Sequence, residues 1–290
     1  MLTESVIDKL DSLSKEILTE PHFPERNQKR LALEDISLGL KKWSVWLMLA
    51  YQDIKLRYRR SLLGPFWITI SMAITVYSMG FLYSHLFHSD ITTYFPFLVG
   101  GMLSWALISN TIVDLIDTFG TYEGMIKQIK LPYTLYIHRV AMRNLIIFFH
   151  HLLVLVPILI IFHHSAEVNL KTLLVIPGLF IIYVNSICYG VGLSIIGARY
   201  KDVSQILKSL VQVIFFMTPI MWKPDLLPES KRFIINFNPF SSFVEIIRAP
   251  LIGSLPSLSN YMIVLVITSL GLTISYKMLT KYRSRIVYWI

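Results

Sequence analysis

The densest group of chemically capable side chains is basic: Lys55, Arg57, Arg59 and Arg60. Guanidinium forks match phosphate oxygens, so the group suits an anionic headgroup. The same charges also anchor a chain at an acidic membrane face, and the two uses coexist. His150 and His151 stand inside a long apolar run. Neighbouring helical residues project about 100° apart, a poor geometry for one shared metal. Hydrogen bonding between helices is therefore the reading for this pair. The single cysteine, Cys188, excludes an internal disulfide and a multi-cysteine metal site. Asp225, Glu229 and Glu245 are scattered rather than paired for acid–base work. No G-x-x-x-x-G-K-[ST] loop occurs, so the chain has no phosphate cradle of that kind. We expect no enzyme, no metal and no cofactor held by this chain.

The elements around these residues belong to a membrane. Of 290 residues 54% are hydrophobic and 16% charged, with a mean hydropathy of +0.58; soluble domains carry about 25% charged residues. The net charge of +9 does not indicate nucleic acid, because Lys and Arg sit at the ends of apolar runs. The expected fold is all-α, an integral membrane protein with six spans: Leu62–Leu86, Tyr94–Val113, Asn144–Phe162, Leu173–Gly197, Val203–Trp222 and Tyr261–Met278. Each is near the roughly 20 residues that cross about 30 Å of hydrocarbon. The fifth is the weakest, interrupted by Lys208 and ending near Pro219. Ser186, Gly190 and Ser194 form a small-residue ladder suited to close helix packing.

Val6, Leu10, Leu13 and Ile17 predict an amphipathic helix over Met1–Glu20, and Pro21–Arg30 reads as a linker. The acids and lysines among the first fifteen residues argue against a cleavable signal peptide. Trp43, Trp46, Leu47, Ala50 and Ile54 predict a second amphipathic helix, Leu40–Arg60, lying in the membrane interface. Residues 1–39 thus read as a cytoplasmic helix and linker, and 40–290 as a transmembrane domain. Lys and Arg divide 22 to 5 between the two sides, which predicts cytoplasmic termini. Between spans five and six, Pro224, Pro228, Pro239, Pro250 and Pro256 punctuate an apolar stretch. That pattern predicts short external re-entrant helices.

Against this frame a set of motifs resembles the ABC-2 type permeases that export polysaccharides. The run Tyr51–Ile70, with Leu63-Gly64-Pro65 and Trp67, is similar to that family's first span. Tyr94–Ser109, Ile126–Pro132, Arg199–Asp202, Thr218-Pro219-Ile220, Asn238-Pro239-Phe240 and Arg248-Ala249-Pro250-Leu251 follow in the family's order. The resemblance spans about Trp43 to Arg285. O-antigen permeases are nearest, with capsule and teichoic-acid permeases as relatives. The resemblance implies a homodimer in the bacterial inner membrane with two copies of a separate ABC ATPase, which holds ATP and Mg. The implied cargo is an undecaprenyl-pyrophosphate-linked polysaccharide.

On that reading Glu123, Gly124, Met125, Ile126, Lys127 and Gln128 form a coupling helix, entered at Gly124 and ended by Pro132. Arg199, Tyr200, Lys201 and Asp202 are a second ATPase contact. Lys55, Arg57, Arg59 and Arg60 receive the lipid pyrophosphate. Trp67, Tyr77, Phe81, Tyr83, Trp105 and Phe215 are candidates to line a sugar conduit, and each also suits a membrane belt or core. A secondary transporter is the competing class. Its intramembrane carboxylates are missing, since Asp114 and Asp117 sit only at a span's inner end. A membrane glycosyltransferase would need clustered acids or a metal site, which the scattered external carboxylates do not supply.

Overall fold

A computed structural model describes residues 25–162 and 169–290, and every regular element among them is helical. The helix expected over Met1–Glu20 lies outside the described residues. Where a linker was expected, the chain is already helical: α1 spans Glu25–Lys41. Its inward stripe is Ala32, Asp35 and Gly39, spaced as one helix face requires. Helix α2, Trp43–Arg57, follows after one residue and buries Ala50 and Ile54.

A turn containing Gly64 (φ 54°) and Arg60 (φ 69°) leads into α3, Phe66–Leu86. Helix α4, Ile91–Ile116, starts on Asp90, whose carboxylate accepts the Thr92 N–H at 3.1 Å. A single turn, Thr118–Thr121, precedes α5, Glu123–Gln128. Helix α6 runs over Tyr133–Ile161, α7 over Val175–Arg199 and α8 over Lys201–Met217. After short 3-10 turns come α9, Pro239–Leu251, and α10, Leu258–Tyr282.

Among the described residues, five helices are long and apolar enough to cross a membrane: Phe66–Leu86, Ile91–Ile116, Tyr133–Ile161, Leu170–Arg199 and Leu258–Trp289. The fifth expected span corresponds to α8, whose 17 residues include Lys201, Asp202 and Lys208 and fall outside that set. The third span begins at Tyr133 rather than at Asn144. Arg139 and Arg143 therefore lie inside the helix, not in a loop before it.

Helix α4 is the hub, packed on α3, α6, α7 and α9. Close approach of α7 is set by small residues. Ser194 Oγ donates to the Leu115 carbonyl at 2.7 Å, and a Cβ on Gly190 would meet Ile137 at 2.7 Å. Gly197 continues the ladder, because a Cβ there would collide with the Ile116 carbonyl. Ser186 instead bonds within its own helix. On the far side, Arg248 of α9 is buried, reaches the Pro219 carbonyl at 2.6 Å and pairs with Glu245. The Phe97 ring lies 4.0 Å beneath its guanidinium.

Asp35 explains how α1 is held. Helix α6 starts after Pro132, which offers no side-chain cap. The Asp35 carboxylate supplies one from another helix, accepting the Tyr133 and Thr134 N–H groups at 3.1 and 3.0 Å. It also accepts Arg283 Nε at 3.0 Å, tying in the end of α10. Removing a partner from a buried pair costs about 3–5 kcal/mol, and the low end applies here because the Arg283 side chain is 26% exposed. Asp35→Ala should therefore destabilise the protein by about 3 kcal/mol, read as a lower thermal midpoint in detergent. An unchanged midpoint would show that α1 is not held by this contact.

Candidate functional site

The most organised polar structure lies where α2, α4, α5 and α6 converge. Arg139 of α6 donates from Nε and Nη2 to the Asp53 carboxylate at 2.9 and 2.5 Å. One turn on, Arg143 donates to the Tyr122 hydroxyl at 3.0 Å and to Asp114 of α4 at 2.8 Å. Asn144 adds a second donor to Asp114 at 2.8 Å, and the Tyr122 hydroxyl donates to Asp53 at 2.8 Å. The Arg139 guanidinium also lies 4.0 Å from the centre of the Tyr122 ring. Both arginine side chains are nearly buried, at 9% and 11% exposure. Burial raises the Asp53 carboxyl, but the Arg139 and Tyr122 hydrogen bonds outweigh it and hold the group below its ordinary 3.8. Burial pushes the Tyr122 phenol up to about 12.

Tyr122 immediately precedes α5, so the network fixes the root of that short helix. Ile126 turns inward into the core, while Glu123, Gly124, Lys127 and Gln128 are exposed. Lys127 pairs with Glu123 at 2.6 Å along the helix. Gly124 is not in the left-handed region and has open space around it, so its backbone needs no glycine. Arg199 lies 5.0 Å from the Tyr200 ring and 5.1 Å from that of Trp289. The two predicted contact groups approach each other, since Glu123 and Lys201 line one cavity.

Lys55, Arg57, Arg59 and Arg60 are all exposed, on the last turn of α2 and the turn beyond it. None makes an ion pair among the described residues. The six aromatic candidates do not assemble into one surface. Trp105 is buried against Phe215 at 5.9 Å and Phe240 at 6.0 Å. Tyr77 donates to the Val154 carbonyl at 2.7 Å, and Tyr83 stacks on Phe87 at 5.6 Å. Trp67 and Phe81 are exposed on α3.

The histidine pair differs from expectation. His150 Nδ1 bonds the Ile146 carbonyl of its own helix at 2.9 Å, and the buried His151 Nδ1 has no partner among the described residues. The interhelical imidazole contact is made elsewhere, by His138 to Tyr183 at 2.8 Å. That Asp53, Tyr122 and Asn144 join one network with the two arginines was not read from the sequence, where Tyr122 stood only at the head of the coupling segment and Asn144 only at the start of a span. The available signal was Arg139 and Arg143, one turn apart and followed directly by an apolar run, with Asp114 at the end of another. Ionisable groups in such segments need partners.

Helix α8 has three different faces at 100° per residue. Ser204, Val211 and Thr218 pack inward. Ile206, Leu210, Val213 and Met217 form an exposed apolar stripe. Gln205, Ser209 and Gln212 form a separate exposed polar row, which ends at the exposed Phe216.

A family model described as ABC-2 type transporter matches residues 44–252. The chain is 22% identical over 202 residues to an O-antigen export system permease protein RfbA of Klebsiella pneumoniae, covering 68% of this chain and 76% of the relative. A second protein of that name and organism is 24% identical over 204 residues, with the same coverages of 68% and 76%.

The network makes a signed prediction. A carboxylate held below its ordinary value contributes stability above pH 3.8 that is lost as the pH falls through its folded value. Asp53→Asn should cost about 3 kcal/mol near neutrality and flatten the acid limb of the stability curve. Combined with Arg139→Gln it should cost less than the sum of the two single changes, by about 1 kcal/mol or more. Additive losses would show that the two groups act independently.

Proposed function

We propose, from the premise that this chain belongs to the ABC-2 type transporter family, that it is the membrane permease of an exporter of lipid-linked polysaccharide, with O-antigen as the cargo. The names of the two relatives supply the cargo class. The observation that carries a conduit is the divided surface of α8. A helix standing alone in hydrocarbon does not expose glutamines, because polar side chains there are costly and turn toward a protein or watery interior. The Ile206–Met217 stripe suits lipid, and the Gln205–Gln212 row suits the hydroxyl groups of sugars. Two copies of the chain facing each other across such rows would enclose a polar path.

Helix α8 then makes the sixth crossing. Its 17 residues rise about 26 Å, and Thr218-Pro219-Ile220 extends it toward the outer boundary. The helices after it, with α9 buried against α4, α7 and α10, form the external re-entrant segment. Both termini lie in the cytoplasm, on the side that carries most of the Lys and Arg residues. A separate ABC ATPase, two copies per dimer, holds ATP and Mg and seats on α5. Its stroke would reach α2, α4 and α6 through Tyr122, which bonds all three directly or through Arg143. Lys55, Arg57, Arg59 and Arg60, exposed at headgroup depth, draw anionic lipid toward the entrance.

The topology is tested with two reporters, one inserted at Glu229 and one after Ile290. They should report opposite sides of the membrane; the same side for both would refute the six-span arrangement.

Export is tested in cells that lack the native gene and carry variants. Gln205→Leu with Gln212→Leu should lower surface polysaccharide at normal protein abundance. Gly124→Glu, placed on the exposed face of α5 where there is room, should leave the protein folded while uncoupling ATP hydrolysis from export. A charge at the buried Ile126 would instead disturb the fold. Normal export in both variants, or normal surface polysaccharide without the gene, would overturn the proposal.

A further inference from the structure

Helix α8 is held firmly at its outer end and lightly along the rest of its length. Asn238 Nδ2 donates to Thr218 Oγ1 at 2.8 Å, Arg248 reaches the Pro219 carbonyl at 2.6 Å, and the Tyr94 hydroxyl donates to the Met221 carbonyl at 2.6 Å. Between Lys201 and Met217 the helix buries only Ser204 and Val211. Extended residues bound it on both sides, Tyr200 (φ −130°, ψ 93°) and Thr218 (φ −97°, ψ 135°). Element-terminal residues of this kind absorb changes in φ and ψ when a helix moves.

Charge fixes the angle at which α8 is rolled. Lys201 and Lys208 are seven residues apart, so they project within about 20° of each other. They stand between the packed face of Ser204 and Val211 and the polar row of Gln205 and Gln212. Lys208 pairs with Asp117 at 3.0 Å. Lys127 and, more weakly, Lys201 hold the Glu123 carboxyl below its ordinary value, so Lys201 faces Glu123. Asp117 closes α4 and Glu123 opens α5. Both cations of α8 therefore meet acids at the root of α5. A cavity of about 510 Å³, lined in part by Asp117, Glu123, Lys201, Ser204, Lys208 and Trp289, leaves room for movement there. The Lys208 and Asp117 side chains are 39% and 41% exposed. Exposed pairs are weak, so this one biases the helix without locking it.

We infer that the Lys208–Asp117 pair is a latch: it sets the roll of α8, and with it the direction in which the Gln205–Gln212 row faces, and it is released when the root of α5 is displaced. The inference rests on the export reading above and deepens it. Asp117 follows α5 because only the single turn Thr118–Thr121 and Tyr122 separate them. Lys208 lies about 40–60° around the helix from Gln212 and Gln205. A roll that re-aims the polar row therefore draws Lys208 away from Asp117. The outer end, pinned by Tyr94, Asn238 and Arg248, stays in place and acts as the pivot.

The test uses the full-length permease in liposomes and does not depend on export. Cys188 is buried, so a cysteine introduced by Gln212→Cys reports the direction of the row through its reaction rate with a charged maleimide. Adding Lys208→Gln should change that rate about fivefold at an unchanged thermal midpoint. Asp117→Asn should do the same, and the two together should do no more than either alone. The exchanged pair, Lys208→Asp with Asp117→Lys, should bring the rate back to within about twofold. The partner ATPase with ATP should shift the protein with an intact latch toward the Lys208→Gln rate and leave the Lys208→Gln protein unchanged. An unchanged rate in Lys208→Gln, or no recovery in the exchanged pair, would overturn the latch and leave the export reading standing. A lowered midpoint in Lys208→Gln would make the pair a structural tie, and no response to ATP a permanent one; either overturns the inference. No labelling at position 212 in any variant would place the row against lipid, which overturns the conduit reading itself and the latch with it.

Discussion

Two arginines one turn apart near the start of a membrane helix must be neutralised where they lie. Arg139 and Arg143 meet that requirement through Asp53 and Asp114, and much of the surrounding architecture is the geometry that brings those carboxylates to them. An uncompensated buried charge costs about 3–5 kcal/mol, comparable to a whole domain's margin of roughly 5–15 kcal/mol. Helix α2 must therefore sit where Asp53 reaches Arg139, and α4 must end where Asp114 reaches Arg143. Tyr122 fills the remaining angle, bonded to Asp53 and approached by Arg143. The ion chain joins three helices and the root of α5 into one unit.

Asp35 repeats the logic nearby. It caps α6 from outside because Pro132 has no side-chain donor or acceptor, and it answers Arg283 at the same time. The start of α6 is thus held from two directions, by α1 through Asp35 and by α2 through Asp53. Under the proposed coupling role, a push delivered at α5 would meet a braced frame rather than a loose loop. That is the mechanical property needed of a seat for a motor subunit.

The outer helices are arranged differently. In its most apolar stretch α4 is 72% buried, whereas α3 is 17% and the Leu258–Trp289 helix 22% buried. The chain therefore divides into a packed centre, α4, α6, α7 and α9, and a periphery whose faces await lipid or other protein. Helix α8 belongs to the periphery, with opposite chemistry on its two exposed faces. Its inner end abuts the cavity and the root of α5. The polar row and the proposed motor contact thus lie within a few turns of one another.

Apolar run length and charge distribution were enough to establish a helical membrane protein, because a bilayer admits few alternatives to apolar helices of about 20 residues. The small-residue ladder at Gly190 and Ser194 was legible for a similar reason, since close packing leaves no room for larger side chains. The placement of charge was not legible. Arg139 and Arg143 fell outside the third expected span, drawn as Asn144–Phe162 from the apolar run; only the fold shows that Asp53, 86 residues away, pairs with Arg139 within the helix. The basic cluster was easy to find because its members are neighbours in sequence, and the six aromatics were easy to name but not to group. The cavity joins Asp117, Glu123, Lys201, Ser204 and Trp289 from distant segments, and no spacing rule links them. Local pattern reports what each helix is made of. Which polar groups face one another depends on how the helices rotate and pack, and that was decided by the tertiary structure alone.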